Sequence, residues 1–324
     1  MELNRRNRKT VPFLLRYLVE TYGLLLGFIF LCVFLSLASP YFFTLPNIFN
    51  VGRQIAVTAI IAFGMTFVIT AAQIDLSVGS VVALTGVITA ALLTRATLPI
   101  GTWLPLVLLI GCLVGLMHGF FVAKQKIPAF LLTLATMAVL RGLGFIYTQG
   151  HPIYISSQKF RAIGRGFIGP IPSPIVIMMG IWLFCYFILN QTRIGKYVSV
   201  VGESQEVARL SGINVDKVLI FVFVLEGTLT AISGIMMASR LGTGSPQVAL
   251  GLELDVIAAV ILGGTSLFGG EGRMFGTLLG AMVIGTLVNG MTLLNISPYV
   301  QMVVRGLVIL GAVWINMAKY RIKR

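Results

Sequence analysis

The chain has 324 residues, 57% of them hydrophobic and 10% charged, and its mean hydropathy is +0.97. A soluble domain gives about a quarter of its residues to Asp, Glu, Lys and Arg. A water-facing globule, a disordered chain and a fibrous repeat are therefore excluded, and lipid is the expected solvent. The net charge of +14 comes without a basic stripe interleaved with aromatics, which argues against nucleic acid as a partner and assigns the surplus cations to membrane orientation.

The basic start, residues 1–19, carries Arg5, Arg6, Arg8, Lys9 and Arg16. The apolar run behind it, from Tyr22 to Ala38, is long for a cleaved signal and reads as an uncleaved anchor. A bilayer core takes about 20 apolar residues per helix. Ten stretches qualify: 20–39, 51–72, 76–94, 103–123, 129–148, 174–190, 217–238, a short one at 254–269, 274–294 and 298–317. Barrel-type alternation is lacking, so α-helices do the spanning. The expected fold is an all-α polytopic membrane protein of about ten helices. Its transmembrane domain covers 20–317, a tail occupies 318–324, and no separate soluble domain is expected. With the N-terminus inside, sixteen cations fall on inside segments and five on outside ones, which predicts that both termini are cytoplasmic.

Two segments between spans are long enough to carry a partner surface, the outside loop 149–173 and the inside loop 191–216. The inside loop predicts a short helix over 203–212. Glu203 and Glu206 near its start and Arg209 near its end suit the helix dipole, and Gly212 is placed to end it in a left-handed conformation. Val207, Leu210 and Ser211 share one face by i+3 and i+4 spacing. A helix this short is marginal alone in water, so it is either a solvated connector or a docking element.

Asp75 and Ser77 join the second and third spans with almost no loop. They read either as caps for the third span or as part of a broken helix lining a polar path. Glu226 lies well inside the seventh span, where a charge costs about 2.5–3.5 kcal/mol. It must be protonated, paired with Arg53, Arg141 or Arg305, or face a wet cavity. Asn289 and Gln301 offer uncharged hydrogen bonds either to a polar solute or to a neighbouring helix. Glu253 and Asp255 head a span, either as caps or, together with Arg240, as a contact for a docked protein on the outer face. Gly269 to Gly272 read as a tight turn between helices, and Gly276 with Gly280 as a close helix contact. Cys32, Cys112 and Cys185 lie in apolar runs and read as small hydrophobes. His118 and His151 have no ligand-spaced companion, so neither a metal site nor a catalytic set is expected.

The run Ala208-Arg209-Leu210-Ser211-Gly212-Ile213-Asn214 resembles the coupling segment in permease subunits of ribose-type sugar ABC importers. So do Ile74 to Ser80, Glu253 to Ser266, and Gly269 to Arg273 followed by Gly276 to Gly280. Asn289-Gly290, Gln301 and Gly306 also fit, and the resemblance spans about residues 45–317 in order. Ser204 departs from the more frequent Asn, and Glu226 from a small polar residue.

The resemblance implies a permease working by alternating access. Residues 203 and 206–212 would couple to a cytoplasmic ATP-binding subunit, with Ala208 inside that segment, while Asp75, Ser77, Glu226, Asn289 and Gln301 would line the path. The other implied partners are a periplasmic or lipid-anchored sugar-binding protein and a second permease copy, identical or related. The chain has no Walker A sequence, since Gly195-Lys196-Tyr197 lacks the upstream Gly and the Ser/Thr. No cofactor is expected on it, ATP and Mg being held by the partner subunit. The alternative from another class is a self-sufficient secondary transporter or channel, marked by an intramembrane acid–base relay.

Overall fold

The computed structural model describes residues 13–96 and 98–323. The basic residues 1–12 that head the expected N-terminal segment, and the last residue, Arg324, lie outside the described residues. Helix α1 (Phe13–Ala38) begins within that expected segment and is followed by α2 (Leu45–Thr70), α3 (Val78–Thr94), α4 (Ile100–Lys124) and α5 (Ala129–Thr148). Next come β1 (Ile153–Tyr154), α6 (Gln158–Arg165), β2 (Phe167–Ile168), β3 (Ile171–Pro172), α7 (Ser173–Gln191), α8 (Arg193–Glu203) and α9 (Gln205–Leu210). The chain closes with α10 (Val215–Leu241), β4 (Thr243–Gly244), α11 (Leu252–Leu262), α12 (Met274–Leu293) and α13 (Pro298–Lys323).

Six helices, α2, α4, α5, α7, α10 and α12, are long and apolar enough to cross a membrane. Shorter apolar stretches run through Gly23–Ala38, Val78–Thr94 and Pro298–Trp314. Helix α11 has 11 residues and reaches only about 16 Å, roughly half a hydrocarbon core. The fold is all-α and polytopic.

Helix α10 is the centre, packed on α2, α3 and α4. Lipid removes the hydrophobic drive between helices, so association depends on dispersion at close backbone approach. Glycines supply that approach. A β-carbon at Gly111 or Gly115 on α4 would overlap the carbonyl oxygen of Gly227 or Phe223 on α10. The expected contact through Gly276 and Gly280 forms on α12, where β-carbons would overlap the carbonyls of Gly263 and Ala259. Outer faces stay apolar, as at Phe30, Leu37, Leu310 and Trp314, all exposed.

The two expected partner surfaces occupy opposite ends of α10, which at 27 residues is about 40 Å long. At its C-terminal end the segment 149–173 is more ordered than a loop. Ser157 caps α6 by accepting the Phe160 N–H at 3.3 Å, β1 pairs with β4, and β2 pairs with β3. Phe160 stacks edge-on against the buried Trp103, ring centroids 5.6 Å apart. The α8–α9 pair sits at the other end of α10.

Two irregular segments enter the bundle. Residues 71–77 separate α2 from α3, and residues 245–251 lead into α11. Each contains an alanine in the left-handed region, Ala72 and Ala249, both with φ of 59°. Non-helical backbone is tolerated inside such a protein only where its polar groups find partners. Here the Leu76 N–H donates to Thr133 Oγ1 at 3.1 Å. The Arg141 guanidinium donates to the carbonyls of Pro246 at 2.8 Å and Val248 at 2.7 Å.

Candidate functional site: the bundle interior and its two ends

The single helix expected over 203–212 is two helices that meet at Ser204. That residue is extended, and its hydroxyl accepts the Val207 N–H, as an N-cap does. Glu203 therefore closes α8 instead of opening α9. Gly212 takes φ of +78°, the left-handed conformation expected to end the helix. Ala208 is fully buried and anchors α9 on the chain's own α8 and α10. The other expected coupling residues, Glu203, Glu206, Val207, Arg209, Leu210, Ser211 and Gly212, are exposed. Leu210 is 83% exposed and Val207 55%, so a polar loop presents two apolar side chains to solvent.

This end is tied to the bundle through backbone. The Gly270 N–H donates to the Thr70 carbonyl at 2.9 Å, and a β-carbon at Gly202 would overlap that same oxygen. Gly269 and Gly270 adopt φ of 84° and 80°, forming the expected tight turn. The last residue of α2 is thus held between α8 and the 263–273 turn. Residues 71–77 follow directly.

In that segment Asp75 is 2% exposed. Its Oδ1 accepts the Ser77 N–H and the Ser77 hydroxyl, each at 2.7 Å. Asp75 thus orders the turn before α3, and Ser77 gives α3 no side-chain cap. Asp75 Oδ2 faces His118 Nδ1 at 3.4 Å. His118 is a site residue that sequence spacing missed, since 43 positions separate it from its carboxylate. The available signal was the cost of a lone imidazole in an apolar helix, which demands a partner.

Glu226 is fully buried and pairs with none of the three arginines expected for it. Arg53 donates to the Arg165 carbonyl, Arg141 holds the 245–251 carbonyls, and Arg305 pairs with Asp255. Glu226 packs instead on α2, where a β-carbon at Gly64 would overlap its Oε2, and its Oε1 accepts the Thr230 hydroxyl at 3.4 Å. Asn289 exchanges amide hydrogen bonds with Asn47 at 2.9 and 3.1 Å. This is the interhelical alternative left open by sequence. Gln301 donates to the Ile296 carbonyl at 2.9 Å.

Arg240, Glu253 and Asp255 do not form one outer group. Asp255 is 8% exposed and bonds Arg305 at 3.0 Å, while Glu253 lies against Gly79 in α3. The reason is the turn of α11, which leaves Leu254 exposed while it directs Asp255 and Glu253 toward α13 and α3. Arg240 stays at the α6 end. It donates to Asn50 Oδ1 at 3.4 Å, and the neighbouring Arg165 donates to the Arg240 and Leu241 carbonyls. Among the described residues no three His, Cys, Asp or Glu side chains converge to hold a metal ion.

Helices long and apolar enough to cross a membrane, packed around two internal backbone breaks, define a polytopic membrane protein. The chain belongs to the family described as "Branched-chain amino acid transport system / permease component", which matches residues 47–313. It is 47% identical over 302 residues to the ribose import permease protein RbsC of Haemophilus influenzae, covering 92% of this chain and 93% of that one. Identity to RbsC of Escherichia coli K12 is 42% over 302 residues, 91% and 93% of the two chains. Against the L-arabinose transport system permease protein AraH of Escherichia coli K12 it is 39% over 313 residues, 94% and 93% of the two chains. No solved structure matches the chain.

Proposed function

We propose that this chain is the permease of an ATP-driven importer for a monosaccharide of the ribose or arabinose type, moving its cargo by alternating access. The observation that carries the partner assignment is the α9 surface, with Ala208 anchored inward and Val207 and Leu210 turned to solvent. Apolar groups on a short polar helix fit a groove on another protein. In this reading α9 seats on a cytoplasmic ATP-binding subunit that holds ATP and Mg. Closure of that subunit pushes α8, and Gly202 passes the push to the end of α2 and to the 71–77 break.

About ten elements span the membrane, with α11 and the 245–251 descent sharing one crossing. Both termini and the α8–α9 end face the cytoplasm, as the cation distribution favours. The α6 end then faces outward, where Arg53, Arg161, Arg165 and Arg240 gather. A periplasmic or lipid-anchored binding protein docks there through acidic groups, guanidinium being suited to bidentate carboxylate contact. A second permease copy, identical or related, completes the path along the apolar outer faces. Labelling Arg209→Cys and Lys159→Cys variants in intact cells with an impermeant reagent tests the orientation, position 159 reacting and position 209 not.

A gradient-driven transporter is the second reading. The observation on its side is the Asp75–His118 contact at 3.4 Å together with the buried Glu226, groups of the acid–base kind. Affinity purification in mild detergent separates the two readings. An ATP-binding subunit recovered with the chain supports the importer, and a chain that moves sugar without one supports the rival.

A further inference from the structure

Three ionisable side chains from three separate segments are buried in the interior: Asp75 from the 71–77 break, His118 from α4 and Glu226 from α10. Exposure is 2% for Asp75 and zero for the other two. His118 Nδ1 stands 3.4 Å from Asp75 Oδ2, and its ring meets the Phe223 ring of α10, one turn before Glu226 on the helix that α4 packs against. Both imidazole nitrogens and Glu226 Oε2 lack a hydrogen-bond partner. Around them stand the Ser77 N–H and hydroxyl, both donated to Asp75 Oδ1, the Thr230 hydroxyl on Glu226 Oε1, and the edge of the Phe223 ring, 6.0 Å from His118. Among the described residues, Arg53, Arg141 and Arg305 are each engaged elsewhere.

With both carboxyls ionised and the imidazole neutral, this group would hold two buried negative charges without a cation, the most unfavourable of its states. Neutrality requires two protons, one on Glu226 and one shared between Asp75 and His118. Water entering the bundle removes that requirement, because a hydrated carboxylate is stable at neutral pH. The group also sits where movement is expected, since Asp75 lies five residues beyond Thr70, the point at which α8 bears on α2.

We infer that Asp75, His118 and Glu226 form one proton-binding site that is loaded while the bundle is closed and emptied when the path opens to water. On opening, the Glu226 carboxyl O–H bond breaks and its proton passes to incoming water. On closing, a proton returns from water and the bond re-forms. ATP binding still drives the cycle, and the proton makes the closed state the one that acid favours. The closed form binds more protons, so the open fraction rises with pH, by at most tenfold per pH unit for one proton. This inference rests on the reading of the bundle as a sugar path, and its test keeps the two apart.

The complete complex of permease, ATP-binding subunit and sugar-loaded binding protein is placed in vesicles, and ATP-dependent uptake is followed from acid to mildly alkaline pH. The readout is the ratio of the Glu226→Gln rate to the wild-type rate at each pH, which cancels the partners' own pH dependence. Glutamine is neutral in both states, so the ratio is expected to rise severalfold toward acid, and Glu226→Asp, which still titrates, is expected to restore a flatter ratio. A ratio constant across the range overturns the site. Should Glu226→Gln fail to assemble, infrared difference spectra of the wild-type complex, closed against nucleotide-trapped, decide the question. Loss of a protonated-carboxyl band on opening supports the site, and an unchanged band overturns it. Absence of ATP-dependent uptake at every pH would defeat the permease reading instead.

Discussion

Gly202, at the end of α8, lies so close to the Thr70 carbonyl at the end of α2 that any β-carbon there would overlap the oxygen. That oxygen also accepts the Gly270 N–H, so three segments share one backbone atom. Gly202→Ala is predicted to force α8 off α2 at about 1–3 kcal/mol, the usual range for overpacking a filled site. Thermal melting in detergent checks it, against Gly142→Ala, where a β-carbon meets nothing within 4 Å. The first should melt lower than wild type and the second should not.

At the α9 surface, Leu210→Asp combined with Arg209→Glu should leave insertion and melting temperature unchanged, because both side chains are exposed. The prediction is that the ATP-binding subunit no longer purifies with the chain and that uptake falls at least about tenfold, as for loss of an interface anchor. Wild-type uptake in a strain with no second permease would refute the docking assignment.

At the α6 end, Arg165→Glu and Arg240→Glu should weaken capture of the sugar-loaded binding protein, with steeper loss at low salt because salt screens the exposed Arg165 and, less fully, the half-buried Arg240. Binding to the chain in lipid nanodiscs measures this. Equal affinity for wild type and the double variant at low ionic strength would remove the arginines from the docking surface.

The reciprocal amide pair of Asn47 and Asn289 joins α2 to α12. A double-mutant cycle with alanine at each position should give a coupling of about 0.6 kcal/mol and no more than about 1.7 kcal/mol, the range for hydrogen bonds between membrane helices. Unfolding in mixed micelles reads it. A coupling of zero would show that the pair contributes nothing to helix association.

Six of the ten expected spans were legible as full-length helices because lipid imposes a length and a composition on each, and Gly212 and the Gly269–Gly270 turn because a left-handed residue favours glycine. A short helix ended by Gly212 was legible from its charges and that glycine, although the division of 203–212 at Ser204 was not, since one extended residue leaves no periodic trace. Helix α6 escaped notice because prolines and short elements hide its pattern. The position of Glu253 and Asp255 was misread for a related reason. Residues 245–251 have the composition of a surface turn, yet Arg141, more than a hundred positions away, draws their carbonyls into the bundle. Contacts of that range, like Asp75 with His118, belong to the tertiary fold and leave no local signature.

Sugar is predicted to move through this chain only when an ATP-binding subunit closes against α9. Reconstitution in vesicles, with labelled ribose or arabinose carried by the binding protein, tests it most directly. Uptake is predicted to require ATP, the binding protein and an intact Leu210 together, and to be lost when any one is missing. Sugar entry through the chain alone, driven by a proton gradient without ATP, would contradict the account.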